Sequence, residues 1–211
     1  MRFLKIKSVP TLFWSSPKPL TVKPPLISLV MLVIGLILFG LGEALLIASG
    51  AGVSPWTVFA QGFSKVTNWS IGLSTFTISF FVLLFWVPLR QTLGVGTVLN
   101  IIIISLVLDL SAPYLPVFET SAMRLAEAAL GVIITGFGGG IYLIANLGPG
   151  PRDGLMTGLQ RQTGRPLATV RSVIEISVVM LGWSLGGVVG LGTLMFAFGI
   201  GPCVATSMLF L

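Results

Sequence analysis

Apolar residues run along this chain in long, nearly unbroken blocks, not in the short alternating or one-sided patterns of a water-soluble core. A block crosses a hydrocarbon layer about 30 Å thick once it reaches about 20 mostly apolar residues. Six do so: approximately Leu26–Ala48, Trp69–Val87, Leu93–Leu110, Leu125–Ala145, Leu167–Leu185 and Leu191–Leu211. Pro88 closes the second block, and Pro113 with Pro116 closes the third, because proline lacks an N–H and its ring clashes with the preceding turn. The pattern predicts an all-α integral membrane protein of about six transmembrane helices.

The polar positions between the blocks repeat. A gapless shift of 96 residues carries Gly35, Gly40, Gly42, Gly52, Pro55 and Gly62 onto Gly131, Gly136, Gly138, Gly148, Pro151 and Gly158. The same shift carries Gly94, Gly96 and Thr97 onto Gly190, Gly192 and Thr193. We read two tandem copies: a basic tail over 1–25, a first membrane repeat over 26–120 and a second over 121–211, in one membrane domain.

Each copy holds a break, at Gly52–Thr57 and at Gly148–Asp153, after which a short helix is expected. Gly52 and Gly148 end the preceding span. Ser54 can cap the free N–H groups, while Pro55 and Pro151 suit the first helical position. Asp153 falls in the first turn, and Lys65 and Arg161 fall near the far end, both favoured by the helix dipole. From Pro55 to Lys65 such a helix reaches only about 16 Å, so it re-enters or lies in the interface. Each copy then crosses three times and the second is inverted. A parallel four-plus-four arrangement stays open, because the Lys and Arg count fits either.

Composition adds what the blocks imply. Of 211 residues, 55% are hydrophobic and 9% charged, where an ordinary soluble domain carries about 25% charged. The formal net charge of +6 invites nucleic acid, but Arg2, Lys5, Lys7, Lys18 and Lys23 all precede Pro24 with no acid among them. That is the positive-inside signature; it places the N-terminus in the cytoplasm and excludes a nucleic-acid partner. The tail either orients the chain or also touches anionic lipid heads. Three prolines before Pro24 and the lack of a long apolar core speak for an uncleaved first span. With no histidine and one cysteine, Cys203, there is no internal disulfide, Cys/His metal site or Ser-His or Cys-His nucleophile. No enzyme activity, cofactor or metal is expected.

Ionisable groups inside spans are costly unless paired or wetted. Arg171 and Glu175, four apart on one helix, can pair on a shared face; their counterparts in the first copy are Thr75 and Ser79. They line a cavity, carry a proton, or form a structural ion pair. Glu43 lies in the first span near the break. Arg152 and Asp153 sit at the second break, where the first has Trp56 and Thr57. An Arg beside a helix N-terminus suits an anion, although Arg152 could equally be a loop anchor neutralised by Asp153. Asp109, Arg124 and Glu127 read as boundary residues and Glu119 as a solvated loop charge. Gly94–Thr97 and Gly190–Thr193 read as tight turns, not dinucleotide sites. Gly136–Gly140 and Gly182–Gly186 have the spacing of close helix packing. Phe80, Phe81, Phe85 and Trp86 are expected to face lipid or the interfacial belt.

The run Gly42–Trp56, Gly94–Thr97 with Asp109, Gly148–Met156, Arg171 with Glu175, Gly182-Trp183 with Leu185–Gly187, and Gly190–Thr193 resemble the YczE/YyaS-type (YitT-like) bacterial multi-pass membrane proteins. The resemblance covers Leu26 to the C-terminus. It implies a duplicated membrane protein and adds no settled substrate or reaction. The expectation is a permease-like protein of the bacterial cytoplasmic membrane that binds a small polar or anionic solute between two pseudo-symmetric halves. Arg152 and Asp153 would hold the solute, and Arg171, Glu175 and Glu43 would line the route or carry a proton. The alternative is a non-transporting accessory that docks a partner through its basic tail and exposed glycine faces. Membrane lipids are expected partners, and a homodimer is compatible with so small a chain.

Overall fold

The computed structural model describes residues 9–211, so Arg2, Lys5 and Lys7 of the basic tail lie outside the described residues. Eight α-helices follow one another: α1 Leu26–Ser49, α2 Pro55–Thr67, α3 Ile71–Trp86, α4 Val95–Ser111, α5 Ser121–Ala145, α6 Pro151–Thr163, α7 Leu167–Ser184 and α8 Leu191–Phe210. A 3₁₀ turn, Ala112–Tyr114, extends α4, and no strand occurs among the described residues. Helices α1, α4 with its turn, α5, α7 and α8 are long and apolar enough to span a membrane. Helix α3 has 16 residues and follows α2 through a bend of 112°; taken together the bent pair is long and apolar enough to be a sixth candidate span. The protein is thus a helical multi-pass membrane protein.

Glycines set how the helices cross. Gly35 of α1 lies against the backbone of Gly138 and Tyr142 in α5, and Gly42 against Gly131 and Thr135. Position rises along one helix as it falls along the other, so α1 and α5 are antiparallel. A Cβ at any of these glycines would collide with the opposing main chain, which is why the two helices approach so closely. Helices α5 and α8 instead run parallel, with Val132 beside Gly199, Gly136 beside Cys203 and Gly140 beside Ser207. Gly182 of α7 packs on Val58 and Phe59 of α2. Gly136, Gly140 and Gly182 are therefore occupied within the chain, whereas Gly186 is exposed.

Between α1 and α2, and again between α5 and α6, the chain turns through a glycine at positive φ: 112° at Gly52 and 113° at Gly148. These φ values suit glycine alone. Each turn is tied to the far half. The Gly192 N–H donates to the Ala51 carbonyl, and the Gly96 N–H to the Leu147 carbonyl, both at 2.8 Å. Thr97 adds a bond from its hydroxyl to the Pro149 carbonyl at 2.7 Å. Thr97 and Thr193 also accept from the N–H of the glycine opening their own helices, as the tight-turn reading of both Gly-x-Gly-Thr motifs expects.

Several boundary residues do more than mark an interface. Asp109 accepts from the Ser70 hydroxyl at 2.6 Å and the Gly72 N–H at 2.8 Å, so it caps α3 from α4. Arg124 donates to the Ser49 and Gly50 carbonyls, placing a cation at the C-terminus of α1. Glu127, read as a boundary residue, is buried, and among the described residues neither carboxyl oxygen has a protein partner. Trp86 also departs from expectation. Phe80, Phe81 and Phe85 are exposed, but Trp86 is buried against Gly154 and donates from Nε1 to the Pro151 carbonyl at 3.0 Å.

The described part of the tail is tied to the helices. Trp14 is buried with Leu32, Leu36 and Ala145, and its carbonyl accepts from the Ser28 hydroxyl at 2.7 Å. The Ser16 N–H satisfies the Ala145 carbonyl at 3.0 Å, and the Asn146 side chain returns a bond to the Ser16 carbonyl. Lys18 and Lys23 remain exposed.

Candidate functional site

Helices α2 and α6 each open on a proline, Pro55 and Pro151, and both N-termini meet in the interior on one cavity of about 240 Å³. Much of its wall consists of residues 96 positions apart: Pro55 and Pro151, Trp56 and Arg152, Thr75 and Arg171, Ser79 and Glu175. Residues on four different helices thus converge although the chain separates them widely. The cavity combines apolar walls with a few polar groups, the usual make-up of a small-molecule site.

Arg152 is its central cation. Its guanidinium stands over the Trp56 ring, 5.3 Å from the centroid, in cation–π range. The salt bridges and hydrogen bonds of the described residues leave its donors without a protein acceptor. Its neighbour Asp153, one residue on in the first turn of α6, is exposed at the mouth and accepts from the Tyr142 hydroxyl of α5. Among the described residues Arg152 forms no salt bridge with Asp153, which is bonded to Tyr142, although that carboxylate still faces the guanidinium electrostatically.

Arg171 does pair with Glu175, Nε to Oε1 at 2.8 Å, across one turn of α7. The Arg171 side chain is 51% exposed and that of Glu175 24%, so this pair sits at the cavity mouth. Thr75 and Ser79 bring the uncharged face of α3 to the same cavity.

Glu43 lies behind the wall, 1% exposed. Its Oε2 accepts from the Ser54 hydroxyl at 2.8 Å and the Thr57 hydroxyl at 2.6 Å. Its Oε1 has no protein partner. Ser54 holds the N-cap position of α2, but its hydroxyl makes no capping bond. It turns to Glu43 instead, because a buried carboxylate is the stronger acceptor. The carboxylate of α1 therefore moors the start of α2.

Glu43, Arg152, Asp153, Arg171 and Glu175 are thus brought within one region, four of them on the cavity wall. Two contributors escaped sequence reasoning. Tyr142 sits in an apolar stretch of α5, where an aromatic reads as core. Trp56 was visible only as the counterpart of Arg152, and nothing in the pattern indicated that these equivalent positions touch. Trp56 also separates the polar cavity from an apolar cleft of about 520 Å³ between α2, α3 and α7, lined by Phe59, Phe63, Phe81 and Phe85.

Residues 26–208 match the model of a family of unknown function, DUF6198. An uncharacterized protein of Haemophilus influenzae is 42% identical over 200 residues, covering 95% of this chain and 91% of that protein. The uncharacterized membrane protein YczE of Bacillus subtilis is 32% identical over 169 residues, 77% of each chain. No solved structure matches. The match takes in α1–α7, α8 to within two residues of its end, and every residue of the cavity, and the chain belongs to the DUF6198 family, with YczE among its relatives.

Proposed function

We propose that this membrane protein is a carrier, not an enzyme, and that it binds a small anionic or polar solute between two related halves. The observation that carries this reading is the Arg152 guanidinium, stacked on Trp56 and, among the described residues, without a protein acceptor, where the N-termini of two short helices meet. Backbone N–H groups and the helix dipoles add to its charge. Paired interrupted helices near the middle of a membrane protein are a common binding arrangement in secondary transporters.

Inverted repeats fit this reading. Helices α1–α4 and α5–α8 follow in the same order, with lengths of 24, 13, 16 and 17 residues against 25, 13, 18 and 20. The antiparallel packing of α1 on α5 and the parallel packing of α5 on α8 support three crossings per half with the second half upside down. A parallel four-plus-four chain would run α1 and α5 the same way. The basic tail favours a cytoplasmic N-terminus in the bacterial plasma membrane.

The test is solute flux into reconstituted vesicles, comparing the native chain with Arg152→Ala and Glu175→Gln. Loss of flux in both is expected; native flux in both on every solute moved removes the assigned site.

A further inference from the structure

The charges around the cavity divide into two sets. At the mouth, Arg171 is matched by Glu175, and Asp153 is held by Tyr142. In the interior, Arg152 faces two carboxylates, the buried Glu43 and, at the mouth, its neighbour Asp153, both within electrostatic reach. Neither is in direct contact with it, since among the described residues Arg152 forms no salt bridge. Ser54 stands between Glu43 and the cavity, lining the latter and donating to the former. In so apolar a place the attraction between Arg152 and Glu43 is poorly screened.

An anion arriving at Arg152 thus meets a cation already faced by Asp153 and Glu43. Protonating Glu43 removes one of those two negative charges and so makes room for the charge of the anion. The carboxyl is built to accept that proton without disturbance: both hydroxyl bonds end on Oε2, and Oε1 is buried without a donor against it. A proton from the aqueous phase forms an O–H bond at Oε1, and the moorings of Ser54 and Thr57 stay in place.

We propose that Glu43 is a proton-binding site coupled to the solute site through Arg152, so that one proton and one anion occupy the protein together. This deepens the carrier reading and rests on anion binding at Arg152. It makes the solute class a small monovalent anion and the coupling ion a proton. Most other charged or titratable groups have partners of their own. On α5, Tyr142 is bonded to Asp153 and Arg124 is spent on the end of α1, while Glu127 is a second buried acid without a protein partner among the described residues. Asp109 of α4 caps α3, and α8 contributes only Cys203. From α2, Glu43 meets hydroxyls alone.

The experiment is calorimetric titration of the purified full-length protein with nitrate, formate, acetate, lactate and benzoate, each in two buffers of different ionisation enthalpy. Linkage requires one proton taken up per anion bound, and affinity falling about tenfold per pH unit on the alkaline side of the Glu43 titration. Glu43→Gln is expected to bind the same anion with no proton uptake and no pH slope, and Glu119→Gln, an exposed loop carboxylate, to keep both. Binding without proton uptake in the native protein overturns the proposal, as does a pH slope that survives Glu43→Gln. If Glu43→Gln does not fold, the proton count in the native protein decides alone. Failure of every anion to bind, or binding that survives Arg152→Ala, overturns the carrier reading itself.

Discussion

Arg152 and Trp56 occupy equivalent places 96 positions apart, and the guanidinium of one stands over the ring of the other at 5.3 Å. Both line the cavity, one from α2 and the other from α6. The ring also keeps the hydrocarbon-lined cleft behind it out of contact with the charge. Trp56→Leu should weaken anion binding about fivefold to thirtyfold, the loss of a cation–π contact of roughly 1–2 kcal/mol, with Trp56→Phe falling between. Titration of the folded variants checks this; unchanged affinity in Trp56→Leu would remove the ring from the site.

The antiparallel contact of α1 and α5 predicts sidedness. In a Cys203→Ser background, Val66→Cys at the end of α2 and Thr163→Cys at the end of α6 should react with a membrane-impermeant maleimide from opposite faces. Both positions lie at corresponding ends of short helices. Labelling from one face would place the two halves parallel.

Crowding at the α1 and α5 contact gives a stability prediction. Gly42→Val must push against Thr135 and the Gly131 carbonyl, an overpacking cost of about 1–3 kcal/mol. Gly201→Ala meets nothing within 4 Å and relieves a helical glycine worth roughly 0.5–1 kcal/mol. Thermal melting in detergent should fall for the first and hold or rise for the second.

The N-terminal segment can be tested at two adjacent aromatics. Trp14 is 5% exposed and Phe13 90%. Trp14→Ala should cost about 3 kcal/mol of stability, while Phe13→Ala should leave the melting temperature near native. Deleting Met1–Lys23 would therefore remove a packing element along with the basic charges. Neutralising Lys18 and Lys23 by Gln is the cleaner probe of docking through the tail.

The apolar blocks and their Pro and Gly stops made the helices legible, because span length and the missing proline N–H are local properties. Observed ends lie within a few residues of those expected; α5 begins four residues earlier, at Ser121. Arg171 and Glu175 were legible for a related reason, since a charge inside an apolar block must be paired or wetted, and Arg152 because it stands at the N-terminus of a short helix. The partners of those charges were not. Trp86 and Tyr142 look like ordinary span aromatics, and only helix crossing angles decide that one bonds Pro151 and the other Asp153. Glu127 looked peripheral because its place near the start of a block gives no sign of which way its side chain turns.

The bonds from Gly192 to Ala51 and from Gly96 to Leu147 set an order of events during synthesis. When α1 enters the bilayer its exit turn lacks the donor that will satisfy the Ala51 carbonyl, and that donor arrives only with the last helix. A buried carbonyl without a donor is costly, so the exit turn of α1 gains its full set of bonds only once α8 has been made. A ribosome halted before Gly192 would leave an unfinished chain with a recognisable defect for quality-control proteases.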